Sequence, residues 1–258
     1  MPRLDTLDQQ MEEMKVPGPG TFKFSAVKPE ELGASEYTLV TLCIDKSGSV
    51  RDFKDSLKEC ISSIIKACQK SERAENLMVR LITFSTNIVE VHGFKELHTI
   101  DPTQYEDLDP YGGTALYDSA YSGIGASIAY AESLIQQGFN VNGAVYIVTD
   151  GDDNSSTMNA HNVKEIMDDA LRGEKIESLI AVLVGVKDPN ITGQQWATHM
   201  TKRLETFQKE AGLTQYVDVG DATPQKLAKL AEFVSQSVSS QSNSLNSGSP
   251  SQQINVTF

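Results

Sequence analysis

The sequence predicts an α/β fold: a doubly wound, mostly parallel six-stranded sheet with one antiparallel edge strand and helices on both faces. Three observations carry this expectation. Short apolar runs bounded by polar loops alternate with segments whose apolar residues recur at helical spacing. The runs are nearly continuous rather than alternating, as in strands covered on both faces. Successive runs are also far enough apart for a helical crossover, with one exception.

The elements follow in order. Residues 1–35 are polar, and the turn Pro17-Gly18-Pro19-Gly20 cannot continue a helix, so they form an N-terminal arm that Phe22, Phe24 and Val27 lay against the domain. The domain spans 36–238. Residues 37–44 are the first strand, and 52–70 carry Phe53, Leu57, Ile61, Ile64, Ile65 and Cys68 along one helical stripe. Residues 77–84 are the second strand. The short strand 88–91 follows a tight turn at 85–87, too close for a crossover, and is expected to be antiparallel and at the sheet edge. A helix over about 115–137 has Tyr117, Ile124, Ile128 and Ile135 as its apolar stripe. Strand 144–149, a helix near 160–172, strand 178–185, a helix near 193–211, a short strand at 216–218 and a helix near 224–238 complete the domain. Residues 239–258 are rich in Ser, Gln and Asn and are expected to be a flexible tail. Its last residues, 254–258, alternate like a strand that an exposed sheet edge would accept, although a frayed end is the simpler reading.

Composition narrows the function. A formal net charge of −13 leaves no basic surface to neutralise phosphates, which argues against nucleic-acid binding and suits a cation. The opening MPRLDTLDQQMEEMKV is charged and reads as neither a secretory signal nor an anchor. No stretch approaches the roughly 20 apolar residues that span a bilayer. Cys43, Cys60 and Cys68 lack CxxC spacing and sit in apolar patterns, as buried thiols in a reducing compartment do. The expectation is a cytoplasmic protein with no membrane partner, in which the sequons at Asn190 and Asn255 carry no meaning.

Three separated segments converge on one chemistry. Asp45-Lys46-Ser47-Gly48-Ser49 follows the first strand, and in extended chain a period of two puts its oxygen-bearing side chains on one side. Tyr111-Gly112-Gly113-Thr114 presents a hydroxyl just before a helix, and Thr149-Asp150-Gly151 places a carboxylate at the carboxyl end of a buried strand. Ligands of doubly wound sheets sit beyond those ends, where strand order reverses. Hydroxyls and carboxylates are hard donors suited to Mg²⁺, with Mn²⁺ and Ca²⁺ as alternatives, and not to zinc or copper. Two carboxylates balance a divalent ion. Mg²⁺ normally keeps waters, so an exchangeable position remains for a carboxylate from another protein. Asp152 and Asp153 extend the acidic cluster as accessory charges.

These three segments resemble the three parts of the metal-ion-dependent adhesion site of von Willebrand factor A-type domains, in order and each at its expected strand end or loop, over about residues 36–238. The resemblance implies the strand order 3-2-1-4-5-6. It implies that Ser47, Ser49 and Thr114 bind the metal directly, with Asp45 and Asp150 acting partly through waters. It further implies a protein partner docking through a Glu or Asp side chain. Free-standing cytoplasmic members often work with AAA+ ATPases or in larger assemblies, so an adaptor role is a weaker expectation.

Other chemistries find less support. Asp45 or Ser47 alone would serve as a helix cap, but capping does not account for all five residues. Asp150-Gly-Asp152 is superficially like the strand end of haloacid-dehalogenase-like phosphohydrolases, which use a nucleophilic Asp with Mg²⁺. That strand normally opens its domain, and the comparison leaves Asp45, Ser47 and Ser49 unexplained. An EF-hand fails because Ser155 and His161 occupy the positions that require Gly and Glu. His92, His98, His161 and His199 are scattered, and no HExxH, phosphate-binding GxxxxGK[ST] or GxSxG is present. Gly123 with Gly125, Cys43, and Trp196 with Met200 are most simply packing. No catalytic residue is assigned. A third possibility is a self-assembling structural protein in which one copy completes another's site.

Overall fold

The computed structural model describes residues 10–172, 176–190 and 194–245. The strands are β1 (Met11–Lys15), β2 (Lys23–Val27), β3 (Glu36–Asp45), β4 (Leu77–Phe84), β5 (Ile88–Glu96), β6 (Asn140–Thr149), β7 (Leu179–Lys187) and β8 (Gln215–Asp221). The helices are α1 (Lys54–Gln69), α2 (Leu116–Ile135), α3 (Ala160–Arg172), α4 (Gln194–Glu210) and α5 (Pro224–Ser244). One sheet runs β1-β2-β5-β4-β3-β6-β7-β8. From β4 through β8 the neighbours are parallel, whereas β5 is antiparallel to β4. Both faces are covered: α2, α3 and α4 pack on one, and α1 with α5 on the other. The order β5-β4-β3-β6-β7-β8 is the six-stranded arrangement expected.

Two expectations need correction. The sheet has eight strands, because the arm supplies β1 and β2, and β5 is consequently not at the edge. The arm folds back as a hairpin closed by Val16 N–H on Phe22 O at 2.9 Å, and Phe24, Ala26 and Val27 are buried. β2 meets β5 in parallel at Ala26 and Phe94. It comes so close that a Cβ on Gly93 would lie 2.0 Å from Ser25 O, so only glycine fits there. Elsewhere along this seam a side chain replaces the ladder: the Glu90 carboxylate accepts from Ser25 N (2.9 Å) and Ser25 Oγ (2.7 Å).

The second correction concerns the last helix, which runs to Ser244 and not to 238. Its Ser- and Gln-rich end is buried against polar groups on the sheet. Gln241 Nε2 donates to Ser178 Oγ at 2.6 Å, Asn142 Nδ2 donates to Gln241 O, and Arg73, paired with Glu36, donates to Ser242 O. Polar composition therefore signals a polar seam there, not a solvated tail. The expected strand at 254–258 and the rest of the tail beyond 245 lie outside the described residues. So does the side chain of Trp196.

The histidine of β5 offers a test of the packing around this strand. His92 stacks on Tyr105 with ring centroids 6.0 Å apart, and its two ring nitrogens lie 3.0 Å from Gly93 O and 3.1 Å from Tyr105 Oη. Burial lowers its pKa to about 4, with Lys95 and Arg80 adding like charge. The unfolded chain takes up the proton first, near the ordinary value of about 6.5. The stability held by neutral His92 is therefore complete above that value and declines as pH falls toward 4. Thermal melts of His92→Gln should lose less stability than wild type between pH 6.5 and 4; equal losses would refute the assignment.

Candidate metal centre

β3 and β6 lie side by side at the centre of the sheet, so their carboxyl ends deliver Asp45 and Asp150 to one place. Asp45 ends β3 and is fully buried. Its Oδ1 accepts from Ser47 N at 2.7 Å, folding the chain sharply back, and its Oδ2 accepts from Thr149 Oγ1 at 2.6 Å. The next residues are pinned from the other side: Lys46 N–H donates to Phe84 O, and Gly48 N–H to Gly112 O at 3.1 Å. Ser47 Oγ and Ser49 Oγ lie 2.9 Å apart, and Ser49 Oγ donates to Asp150 Oδ1 at 2.8 Å. Four of the five expected residues thus form one chain of contacts.

Thr114 is the fifth. It is buried at the start of α2, and its Oγ1 lies 3.8 Å from where a Cβ on Gly151 would sit, which places the hydroxyl beside the turn that carries Asp150. Two backbone contacts hold it. Thr114 N–H donates to Asn154 Oδ1 at 2.8 Å, and Asn154 N–H donates to Thr114 O at 3.0 Å. Gly112 sits at φ +72°, in the left-handed region that favours glycine, and its carbonyl holds Gly48.

The electrostatics are unbalanced. Burial and the neighbouring Asp45 charge push Asp150 up to about 7, with Asp188 adding a little and the Ser49 hydrogen bond opposing. Burial also raises Asp45, against the hydrogen bonds from Thr149 and Ser47. Among the described residues no Lys or Arg forms an ion pair with either carboxylate. Two adjacent buried carboxylates without a counter-charge are costly, and a divalent cation is the natural complement.

Hydroxyl and carboxylate oxygens are hard donors, the type that Mg²⁺ and Ca²⁺ both take. The hydroxyls of Ser47 and Ser49 are 2.9 Å apart. Among the described residues no group of three or more His, Cys, Asp or Glu side chains converges on a point, so any metal here would rest on two carboxylates and neutral hydroxyls.

The accessory acids have other partners. Asp152 pairs with Arg203 Nε at 2.6 Å, and Asp153 accepts from Tyr117 N at the start of α2 and from Ser156. The sequence motif included Thr149 but gave its side chain, which holds Asp45, no role, and it gave none to Asn154. Around the site, Tyr111 is 44% exposed with Lys46 Nζ over its ring at 5.2 Å. A cleft of about 220 Å³ opens beside Asp150, walled by Leu204, Tyr216 and Lys226.

The model of the von Willebrand factor type A domain matches residues 40–190, more than half of the chain. No curated protein sequence matches. Among solved structures, the PilB minor pilin from Streptococcus sanguinis is similar with a TM-score of 0.53 at 15% identity, covering 86% of this chain and 66% of that one. The pilus adhesin SpaC from Lactobacillus rhamnosus GG gives a TM-score of 0.53 at 10% identity, covering 80% of this chain and 31% of that one. This chain therefore spans about two thirds of the first protein and a third of the second, and at these identities the likeness concerns the fold alone. No helix among the described residues is long and apolar enough to cross a membrane.

Proposed function

This chain belongs to the von Willebrand factor type A domain family, a family of protein-interaction modules, and from that premise we propose that it docks a partner protein through a divalent cation. Ser47, Ser49 and Thr114 hold Mg²⁺ directly, and Asp45 and Asp150 balance its charge, partly through waters. The ion supplies an open coordination position for a Glu or Asp side chain of the partner. The observation that carries this reading is the meeting of two buried carboxylates with which, among the described residues, no Lys or Arg forms an ion pair.

The exposed Tyr111 beside Lys46 and the cleft next to Asp150 give the partner's neighbouring residues somewhere to rest. Three buried free thiols favour a reducing compartment, and we take the protein to be cytoplasmic, serving as an adaptor within a larger assembly. A phosphohydrolase reading is less favoured, because Arg203 pairs with the Asp152 carboxylate and that reading gives Asp45, Ser47 and Ser49 no role.

The test is titration calorimetry with Mg²⁺. Wild type should bind, and Thr114→Ala should bind at least about tenfold more weakly, with little change in melting temperature in EDTA. A partner eluted by EDTA from immobilised wild type should be missing from the Thr114→Ala column. Light scattering with and without EDTA separates that partner from a second copy of this chain. A wild-type chain that takes up no divalent ion refutes the proposal.

A further inference from the structure

The start of α2 is capped by a different part of the chain. In most helices the first free N–H groups are satisfied by a residue immediately preceding them. Here the residue before α2, Ala115, makes no side-chain cap. The loop after β6 takes over: Thr114 N–H donates to Asn154 Oδ1 (2.8 Å), Tyr117 N–H to Asp153 Oδ1 (3.3 Å) and Asp118 N–H to Ser156 Oγ (2.9 Å). The bonding is returned. Asn154 N–H donates to Thr114 O at 3.0 Å, and Thr157 N–H (3.0 Å) and Met158 N–H (2.7 Å) donate to Asp118 Oδ1.

This zipper fixes the spacing between the Thr114 hydroxyl on one side and Asp150 on the other. Asn154 is its end nearest the site. A Cβ on Gly113 would lie 2.4 Å from Asn154 Oδ1 and 2.3 Å from Ser155 Oγ, so the glycine backbone is pressed directly against this amide. Asn154 Oδ1 also accepts from Ser155 Oγ at 2.8 Å, which orients it toward Thr114 N.

Mg²⁺ demands near-ideal geometry at short bonds, whereas Ca²⁺ accepts longer and irregular ones. A loop locked in one geometry therefore suits the more exacting ion, and loosening it harms Mg²⁺ binding first. Resting on the docking reading above, we propose that Asn154 is a positioning residue that sets the preference of this site for Mg²⁺ over Ca²⁺. It acts through Thr114 and does not touch the ion.

The experiment is calorimetric titration of the full chain with Mg²⁺ and, separately, with Ca²⁺. Asn154→Ala should weaken Mg²⁺ binding about tenfold and Ca²⁺ binding much less, narrowing the ratio between the two. Asn154→Asp keeps an acceptor oxygen for Thr114 N and should restore most of the ratio. Ser156→Ala, which removes a bond farther along the zipper, should shift the ratio in the same direction by less, and it remains informative where Asn154→Ala does not fold. Equal weakening for both ions, or wild-type Mg²⁺ affinity in Asn154→Ala, overturns this inference while leaving the docking site standing. A folded wild type that binds neither ion overturns both.

Discussion

Asparagine at position 150 is expected to make the metal-free protein more stable and to leave it unresponsive to Mg²⁺. In wild type, Asp150 is buried beside Asp45, and among the described residues no Lys or Arg forms an ion pair with either. Asparagine has the same shape and keeps an Oδ1 to accept the 2.8 Å bond from Ser49 Oγ, so packing changes little while one buried charge and its repulsion disappear. Removing an uncompensated buried charge stabilises by a few kcal/mol at most, after relaxation and water penetration. The same substitution leaves a divalent ion only one carboxylate, and its affinity should fall by a hundredfold or more. Melting curves in EDTA and in millimolar Mg²⁺ check both halves. Wild type should gain stability with Mg²⁺ by mass action, and Asp150→Asn should start higher and gain nothing. A variant that melts below wild type in EDTA would show that the site does not store the repulsion assigned to it.

The second large effect lies away from the site. Arg80, in the middle of β4, is fully buried, and its guanidinium joins four elements. Nε meets Glu90 Oε2 at 2.7 Å on β5, the head group reaches Ser122 O on α2 at 3.4 Å, and Cζ sits 5.8 Å over the Phe24 ring of β2. Through the other oxygen of Glu90 the contact extends to Ser25. Arg80→Ala leaves the Glu90 carboxylate, part-exposed and still bonded to Ser25, without its charge partner, which costs about 2–3 kcal/mol, less than the loss of one side of a fully buried pair. Urea unfolding should show this loss, and Arg80→Met combined with Glu90→Met should recover a good part of it, because the second change removes the orphaned charge. A loss below about 1 kcal/mol in Arg80→Ala would mean that solvent reaches the pair.

What the sequence disclosed and what it hid follow from how each contact is made. The central strands were legible because burial on both faces demands continuous apolar runs, and 77–84 was placed with the bounds β4 has. The residues proposed to hold the metal could be gathered from the sequence because three short segments each end a strand or start a helix. The hairpin β1–β2 was not legible: Met11–Lys15 carries three charges among five residues, and β2 joins the sheet through a glycine-enabled close approach and a borrowed carboxylate. No periodicity encodes either device. Thr149 and Asn154 stayed hidden for a similar reason. Their partners lie 104 and 40 residues away, and a single hydrogen bond across that distance leaves no local pattern. The end of α5 misled in the opposite sense, since Ser and Gln in a buried polar seam have the composition of a linker.

The hairpin also decides where the sheet stops. An open sheet edge is a template on which another chain can add a strand, and natural proteins blunt it with charge or short length. Without residues 11–27, the outer strand would be β5, whose Val89 and Val91 are 42% and 40% exposed. With them, the terminus of the sheet is a five-residue strand bearing Glu12, Glu13 and Lys15. Two short strands thus act as an insulator at this end of the sheet.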